Sequence, residues 1–335
     1  GQMNALTPEL QPEPQPSAKP RKKGGKPPRR KRDVNGWLVL DKPIGLTSTE
    51  ALGAVKRLFK PEKAGHAGTL DPLASGLLPI AFGEATKTVP YVVDGRKVYR
   101  FVVRWGQETE TDDAEGAIVA SSDLRPSRAQ IEAILHRFVG EIQQVPPRYS
   151  AIKVAGERAY DLARDGEVVE LSARTISVYA LRLVDILGDD EAVFEAECGK
   201  GTYVRALARD MGRDLGSRGH VSNLRRLSVG PFGEHDMITL DALREMAEAE
   251  NGEAALDTHL RSVETAFYAL PSVTVDGGDA GRLRRGQAVI LKGRDAPLFE
   301  GEAYAVAAGK LVALGAVESG MFNPRRVFRH TEPRR

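Results

Sequence analysis

The chain has 335 residues, 41% of them hydrophobic and 28% charged, with a net charge of only +2. That composition belongs to a soluble globular protein with room for two domains, and no apolar run is long enough to span a bilayer. The single cysteine, Cys198, excludes an internal disulfide framework and any Cys-based zinc site and fits a reducing cytoplasm; in a strand pattern it reads as buried filler.

The N-terminal stretch stands apart. Its first 32 residues carry nine Lys/Arg against two Glu, a charge of +7 that leaves the remainder at −5. Residues 1–34 hold the runs Pro12-Glu-Pro-Gln-Pro16 and Lys19-Pro-Arg-Lys-Lys-Gly-Gly-Lys-Pro-Pro-Arg-Arg-Lys-Arg32, which cannot form a core and are expected to be a disordered basic tail. The tail reads equally as a non-specific attractor of RNA phosphates and as a solvated extension. Gly1-Gln2 ahead of Met3 reads as a cloning remnant, and the absence of an apolar h-region argues against a secretory signal.

Folded structure is expected from Asn35. Gly36-Trp-Leu-Val-Leu40 reads as a buried strand, followed by the turn Asp41-Lys-Pro-Ile-Gly45 and a helix over 50–59 capped by Ser48 or Thr49. Lys97–Trp105 alternates as a strand. Ser127 and Gln130 form a capping-box signature that opens a helix with an apolar stripe of Ile131, Ile134, Leu135, Phe138 and Val139. Thr175–Leu187 and Ala192–Cys198 read as an antiparallel pair around Gly188-Asp-Asp-Glu191. Helices are expected over 203–215 and 240–249, then a linker near Asn251–Ala255. Four short strands between 272 and 317, spaced by Gly-rich turns, suggest a small β-barrel-like module. The mixed order without a regular βαβ rhythm predicts an α+β fold with a largely antiparallel sheet.

The densest chemical signal is Lys63-Ala-Gly-His-Ala-Gly-Thr-Leu-Asp-Pro-Leu-Ala-Ser-Gly-Leu-Leu-Pro-Ile80. One acid, Asp71, sits among Gly65, Ala67, Gly68, Ala74 and Gly76, residues small enough for another backbone or a nucleotide to approach. Pro72 pushes Asp71 toward an extended conformation at a loop corner. Asp-Pro alone is a common turn, and His66 beside it offers a flat ring that stacks or donates. Cys198-Gly-Lys-Gly-Thr-Tyr-Val-Arg205 places Arg205 at a helix start, where a guanidinium beside a carboxylate favours its charged form. Tyr99 lies in a strand, as packing or as a ring for stacking on a base. There is no HExxH, no Cys–His cluster, no P-loop and no strand–GxGxxG–helix layout, so neither a metal nor a nucleotide cofactor is expected.

The 63–80 string closely resembles the catalytic motif of the TruB family of tRNA pseudouridine synthases. Further blocks resemble the same family in the same order: Asp41-Lys-Pro-x-Gly45-x-Thr-Ser48; Lys97-x-Tyr99 with Gly106-x-x-Thr109-x-Thr111-x-Asp113-x-x-Gly116; Pro146-Pro-x-Tyr149-Ser-Ala-x-Lys153-x-x-Gly156-x-x-x-Tyr160; Lys200-Gly-Thr-Tyr-x-Arg205; and His220-Val-x-x-Leu224-Arg-Arg-Leu227. The resemblance implies a pseudouridine-synthase catalytic domain over 35–250, an RNA-gripping thumb at about 146–170, and a C-terminal β-rich PUA-like RNA-binding module over 268–330, whose best feature is Leu283-Arg-Arg-Gly286-Gln.

It also implies a chemistry: isomerisation of the tRNA T-loop uridine at position 55, extruded from its stack. Asp71 would be the essential acid, as nucleophile or as C2′ base; Arg205 would hold it ionised, and Tyr99 would stack on the base and accept the C5 proton. His66 would fill the vacated stack, and Tyr203 and Leu224 would line the pocket. Arg148, Lys153, Arg158, Arg225 and Arg226 are candidates for phosphate contacts. The implied partner is the tRNA T-arm stem-loop, with no membrane, no obligatory protein partner, and a cytoplasmic monomer. Two rival expectations are a guide-dependent subunit of an H/ACA-type particle and a non-catalytic tRNA-binding or folding chaperone.

Overall fold

The run Gly36-Trp-Leu-Val-Leu-Asp-Lys42 is apolar on both faces, and the strand it forms, β1 (Gly36–Lys42), is buried along almost its whole length. The structure is a computed structural model and describes residues 30–148, 153–154, 157–158, 172–291, 293 and 296–329; most of the basic tail lies outside them. After β1 come α1 (Ser48–Phe59), β2 (Ala64–His66), β3 (Ala74–Phe82), α2 (Val89–Val93), β4 (Lys97–Trp105), β5 (Gln107–Thr109), β6 (Ile118–Ser121), α3 (Arg128–Ile134), β7 (Gly140–Gln144), β8 (Lys153–Val154) and β9 (Glu157–Arg158). Then follow β10 (Arg174–Leu187), β11 (Glu191–Cys198), α4 (Val204–Asp214), β12 (Gly219–Val229), β13 (Ile238–Thr239), α5 (Leu240–Ala247) and α6 (Gly252–Asp257). The C-terminal part holds β14 (Ser272–Thr274), α7 (Gly277–Arg284), β15 (Val289–Ile290), β16 (Gly301–Ala307), β17 (Lys310–Glu318) and β18 (Met321–Val327).

Nine strands make one sheet in the order β13-β1-β3-β12-β4-β11-β10-β7, with β2 on β3. Pairing is antiparallel except at β1–β13 and β3–β12. This is the largely antiparallel mixed sheet expected from the sequence. A second, five-stranded sheet runs β14-β16-β17-β18-β15. The parallel β3–β12 pair matters most for function, because it sets the start of β3, just after Asp71, beside Leu224 of β12.

Local differences from the sequence reading have physical causes. The cap of α1 is Thr47, in a capping box with Glu50, which leaves Ser48 available for another task described below. Helix α3 stops at Ile134 and gives way to a tighter 3-10 turn over Leu135–Phe138, so the 3.6-residue period fails and Val139 is exposed. The expected linker at Asn251–Ala255 is instead the start of α6. A Cβ on Gly252 would lie 2.5 Å from the Ala247 carbonyl oxygen, so this glycine serves a close helix–helix approach. Leu256 of α6 joins Leu240 and Leu243 in the core beneath β1 and α1. Strand β18 escaped notice because Asn323-Pro-Arg-Arg326 lacks alternation; Pro324 sits at a register shift against β17, where a strand tolerates it.

The two sheets are joined by packing. Trp37, Val89, Val92 and Phe267 from one part share a single apolar cluster with Leu311, Leu314 and Phe328 from the other. Lys87 Nζ donates to the Val327 carbonyl at 3.1 Å, and Arg329 Nε to Glu84 at 2.7 Å.

Candidate active site

The loop between β2 and β3 is held from three sides. Ser48 Oγ, at the start of α1, accepts from Leu70 N at 2.8 Å and donates to the Leu70 carbonyl at 2.9 Å. Gly45 N donates to the Pro72 carbonyl at 2.7 Å, and Ala74 N to the Asp71 carbonyl at 2.9 Å. From below, Arg226 of β12 reaches through the sheet: Nε donates to the Leu77 carbonyl at 2.9 Å, Nη2 to Gly68 at 2.9 Å and Nη1 to Thr69 at 3.4 Å. Gly76, at φ +106, faces the Arg226 backbone so closely that a Cβ would lie 2.2 Å from its carbonyl oxygen. The small residues of the motif therefore admit another strand of the same chain.

Asp71 projects from this braced loop with its side chain 40% exposed, open enough to meet a substrate, while Arg205 opposite it is 11% exposed. Arg205 Nη2 lies 3.5 Å from Asp71 Oδ2. The same guanidinium lies 3.6 Å from Asp113 Oδ2 and donates to the Thr111 carbonyl at 3.1 Å. Asp113 is itself fixed by Thr111 Oγ1 and by Glu115 N at 2.9 Å, an Asx turn. Two carboxylates thus share one fork, so Arg205 is aimed before any substrate arrives. Beneath the loop, Lys42 is fully buried and donates to the Pro43 and Leu46 carbonyls. Burial pulls its ammonium down to about 8, against the opposing field of Asp71.

Asp112, next to this fork, adopts φ 60, a left-handed conformation that Asp tolerates. It is buried and pairs with Arg209 Nη1 at 3.2 Å. Burial pushes its carboxyl up to about 6, with Arg209 pulling the other way. The folded chain therefore holds this proton more tightly than the unfolded chain. The resulting stabilisation is full below the unfolded carboxylate range and is lost as pH rises through about 6. We expect the thermal midpoint of wild type, measured relative to Asp112→Asn, to fall between about pH 5 and about pH 7.5; a pH-independent difference would contradict it.

Asp71, Ala74, Asp113, Arg205, Ser222 and Leu224 line one cleft of about 300 Å³, counting its solvent-open space. Of the residues singled out from sequence, Asp71, Arg205 and Leu224 meet here, with Leu224 as an apolar wall. Tyr99 of β4 lies one strand beyond, opposite Arg226 in register, and shares a hydrogen bond with it. Burial raises the Tyr99 hydroxyl above the ordinary phenol range, and Arg226 opposes that shift. His66, on β2, and Tyr203, the N-cap residue of α4, are half-buried and outside the set that lines the cleft.

The phosphate-contact expectation needs correction at Arg226. Arg226 is 2% exposed and committed to loop carbonyls, so it braces the acid loop and is not a phosphate ligand. Arg225 points the other way from the same strand and makes a two-pronged bond to Asp41, 3.0 Å on each prong. Arg148 is exposed. Lys153 and Arg158 are register partners in the antiparallel β8–β9 pair. Tyr149, Tyr160 and most of the 146–170 segment lie outside the described residues.

Residues to which sequence reasoning gave no part in the site are Lys42, Ser48 (read only as a helix cap), Asp113 and Gln144. The first three stood inside quoted blocks; the spacing Thr111-x-Asp113-x-Glu115 was a usable Asx-turn signal. The arrangement supplies a positioned, accessible carboxylate beside a buried cation and an apolar wall.

Comparison with known proteins follows the same outline. Residues 56–204 match the model of the TruB family pseudouridylate synthase N-terminal domain, and residues 205–268 match that of the tRNA pseudouridylate synthase B C-terminal domain. The chain is 61% identical over 310 residues to the tRNA pseudouridine synthase B of Bradyrhizobium diazoefficiens, covering 92% of this chain and 90% of that one. It is 54% identical to the tRNA pseudouridine synthase B of Rhizobium johnstonii, covering 93% and 99%. Among solved structures, an archaeal box H/ACA complex matches with a TM-score of 0.67 at 26% identity, covering 89% of this chain and 86% of the other. An H/ACA ribonucleoprotein bound to a substrate RNA containing 2′-deoxyuridine matches at 0.66 and 26%, covering 89% and 85%. No described helix is long and apolar enough to cross a membrane.

Proposed function

The chain belongs to the TruB family of pseudouridine synthases, which are isomerases acting on tRNA, and from that membership we propose that it converts the T-loop uridine at position 55 to pseudouridine. The observation that carries the reading is the accessible Asp71 carboxylate 3.5 Å from the shielded Arg205 guanidinium in a cleft walled by Leu224. The reaction breaks the N1–C1′ bond and joins C5 to C1′; C5 gives up its proton to solvent and N1 takes one up, so composition is unchanged. Asp71 acts on the sugar or base as nucleophile or takes the C2′ proton as base; both roles need the same carboxylate at the same lip.

The target must leave its stack to reach that lip, at a cost of a few kcal/mol. His66 is assigned to the vacated position. Tyr99 stacks on the flipped base; burial favours its neutral hydroxyl, so to take the C5 proton it must pass its own proton on to solvent. Tyr203 and Leu224 flank it. Arg148, Lys153 and Arg158 are assigned to the RNA backbone, and the C-terminal sheet to a second contact on the tRNA. Relatives at 54–61% identity carry the tRNA synthase name over 84–99% of their own length, whereas likeness to the guide-dependent particles stands at 26–28%. That contrast favours a stand-alone enzyme.

The test is incubation of the purified chain with a T-arm stem-loop, without guide RNA or other protein, followed by chemical mapping of pseudouridine. A single modification at the T-loop uridine is expected. Modification elsewhere, or none until a guide RNA is supplied, would overturn the reading.

A further inference from the structure

The last residue of β7, Gln144, is 2% exposed although it is polar. Its side-chain amide grips one residue at both backbone groups. Oε1 accepts from Tyr203 N at 2.8 Å, and Nε2 donates to the Tyr203 carbonyl at 3.1 Å. This is the pairing that one strand residue offers another, made here by a side chain. Tyr203 is the N-cap residue of α4 and provides no side-chain cap of its own. Gln144 supplies that cap from outside the helix. Two residues further along α4, Arg205 faces Asp71.

The neighbouring residue repeats the link. The Val145 carbonyl accepts from Arg209 Nη2 at 2.7 Å, and Arg209 Nη1 holds Asp112, beside the Thr111 carbonyl and Asp113 that aim Arg205. Pro146 and Pro147 follow directly and open the segment that resembles the thumb. Two consecutive residues at the thumb root are thus tied to α4, one on each side of Arg205.

We infer, on the isomerase reading above, that Gln144 is a positioning residue: its amide locks the first turn of α4 to the thumb root, so that Tyr203 and Arg205 stand in register with Asp71. A bidentate amide is needed, because the group must donate and accept at once. A carboxylate in its place accepts from Tyr203 N but repels the Tyr203 carbonyl. Once protonated, a carboxylic acid again does both.

The experiment compares wild type, Gln144→Met and Gln144→Glu in single-turnover reactions with a saturating T-arm stem-loop, alongside RNA affinity by filter retention. Both variants are expected to react roughly 10–100-fold more slowly, the scale of a small misplacement of reacting groups, with affinity within about threefold of wild type. The ratio of Gln144→Glu to wild type should climb as pH falls from about 8 to about 5.5, while that of Gln144→Met stays flat. If Gln144→Met fails to fold, the pH trend of Gln144→Glu decides alone. Rates within threefold of wild type, a loss of affinity that parallels the loss of rate, or a flat Gln144→Glu ratio would each overturn the proposal. Hydrogen exchange at the Tyr203 amide separates this from the isomerase reading. Faster exchange in Gln144→Glu supports the clamp even if wild type proves inactive on this RNA, and unchanged exchange overturns it.

Discussion

Asp71→Asn is expected to abolish pseudouridine formation, by ~10⁴-fold or more, while T-arm affinity stays within about threefold. Asparagine keeps the size of the side chain and one acceptor oxygen, but it neither attacks nor takes up a proton at neutral pH. The loop should survive the change, because none of its bracing bonds uses the Asp71 carboxylate. Ser48, Gly45 and Arg226 hold the backbones of Leu70, Pro72, Gly68 and Thr69. Tritium released from C5-labelled uridine reads the chemistry, and filter retention reads the binding. Turnover of the variant within tenfold of wild type would remove Asp71 from the reaction; loss of binding along with turnover would make it a binding group.

The second large effect is expected at Arg226, and it is a loss of structure. Arg226→Met keeps the length of the buried stem but leaves the Gly68, Thr69 and Leu77 carbonyls without their donor. Unmet buried acceptors cost about 1–3 kcal/mol each, less where the loop relaxes or water enters. A total of about 3 kcal/mol corresponds to a fall in the thermal midpoint of roughly 4–5 °C for a chain of this size. Activity should fall with it, because Gly68 and Thr69 carry the approach to Asp71. A phosphate ligand behaves differently: its loss leaves the melting midpoint in place and lowers the salt slope of RNA binding by about 1. An unchanged midpoint with a reduced salt slope would return Arg226 to the RNA interface.

The contrast between Asp71 and Arg226 shows what was legible in the chain. Asp71 is legible because it lies in a long motif; Asp-Pro by itself is a common turn. Its cation partner, Arg205, stood at a predicted helix start and is found there. Arg225 and Arg226 read as a basic surface pair, yet neighbours on a strand point to opposite faces. One grips Asp41 and the other enters the core; period-two reasoning already barred both from one surface. Gln144 was out of reach for another reason. Nothing in a Gln-Gln pair reveals that one amide will meet a backbone 59 positions away. Secondary structure was readable where apolar spacing was regular, as in β4, β10 and β11. It failed where long-range packing decided, as at α6, and where proline and charge hid a strand, as at β18.

The shared core of Trp37, Val92 and Phe267 with Leu311, Leu314 and Phe328 has a mechanical consequence. Neither sheet can swing against the other without opening oily seams to water, so the molecule grasps its cargo with a stiff frame. On the proposed reading, bringing a nucleoside to Asp71 then calls on the RNA and on loops outside the two sheets, not on a hinge between them.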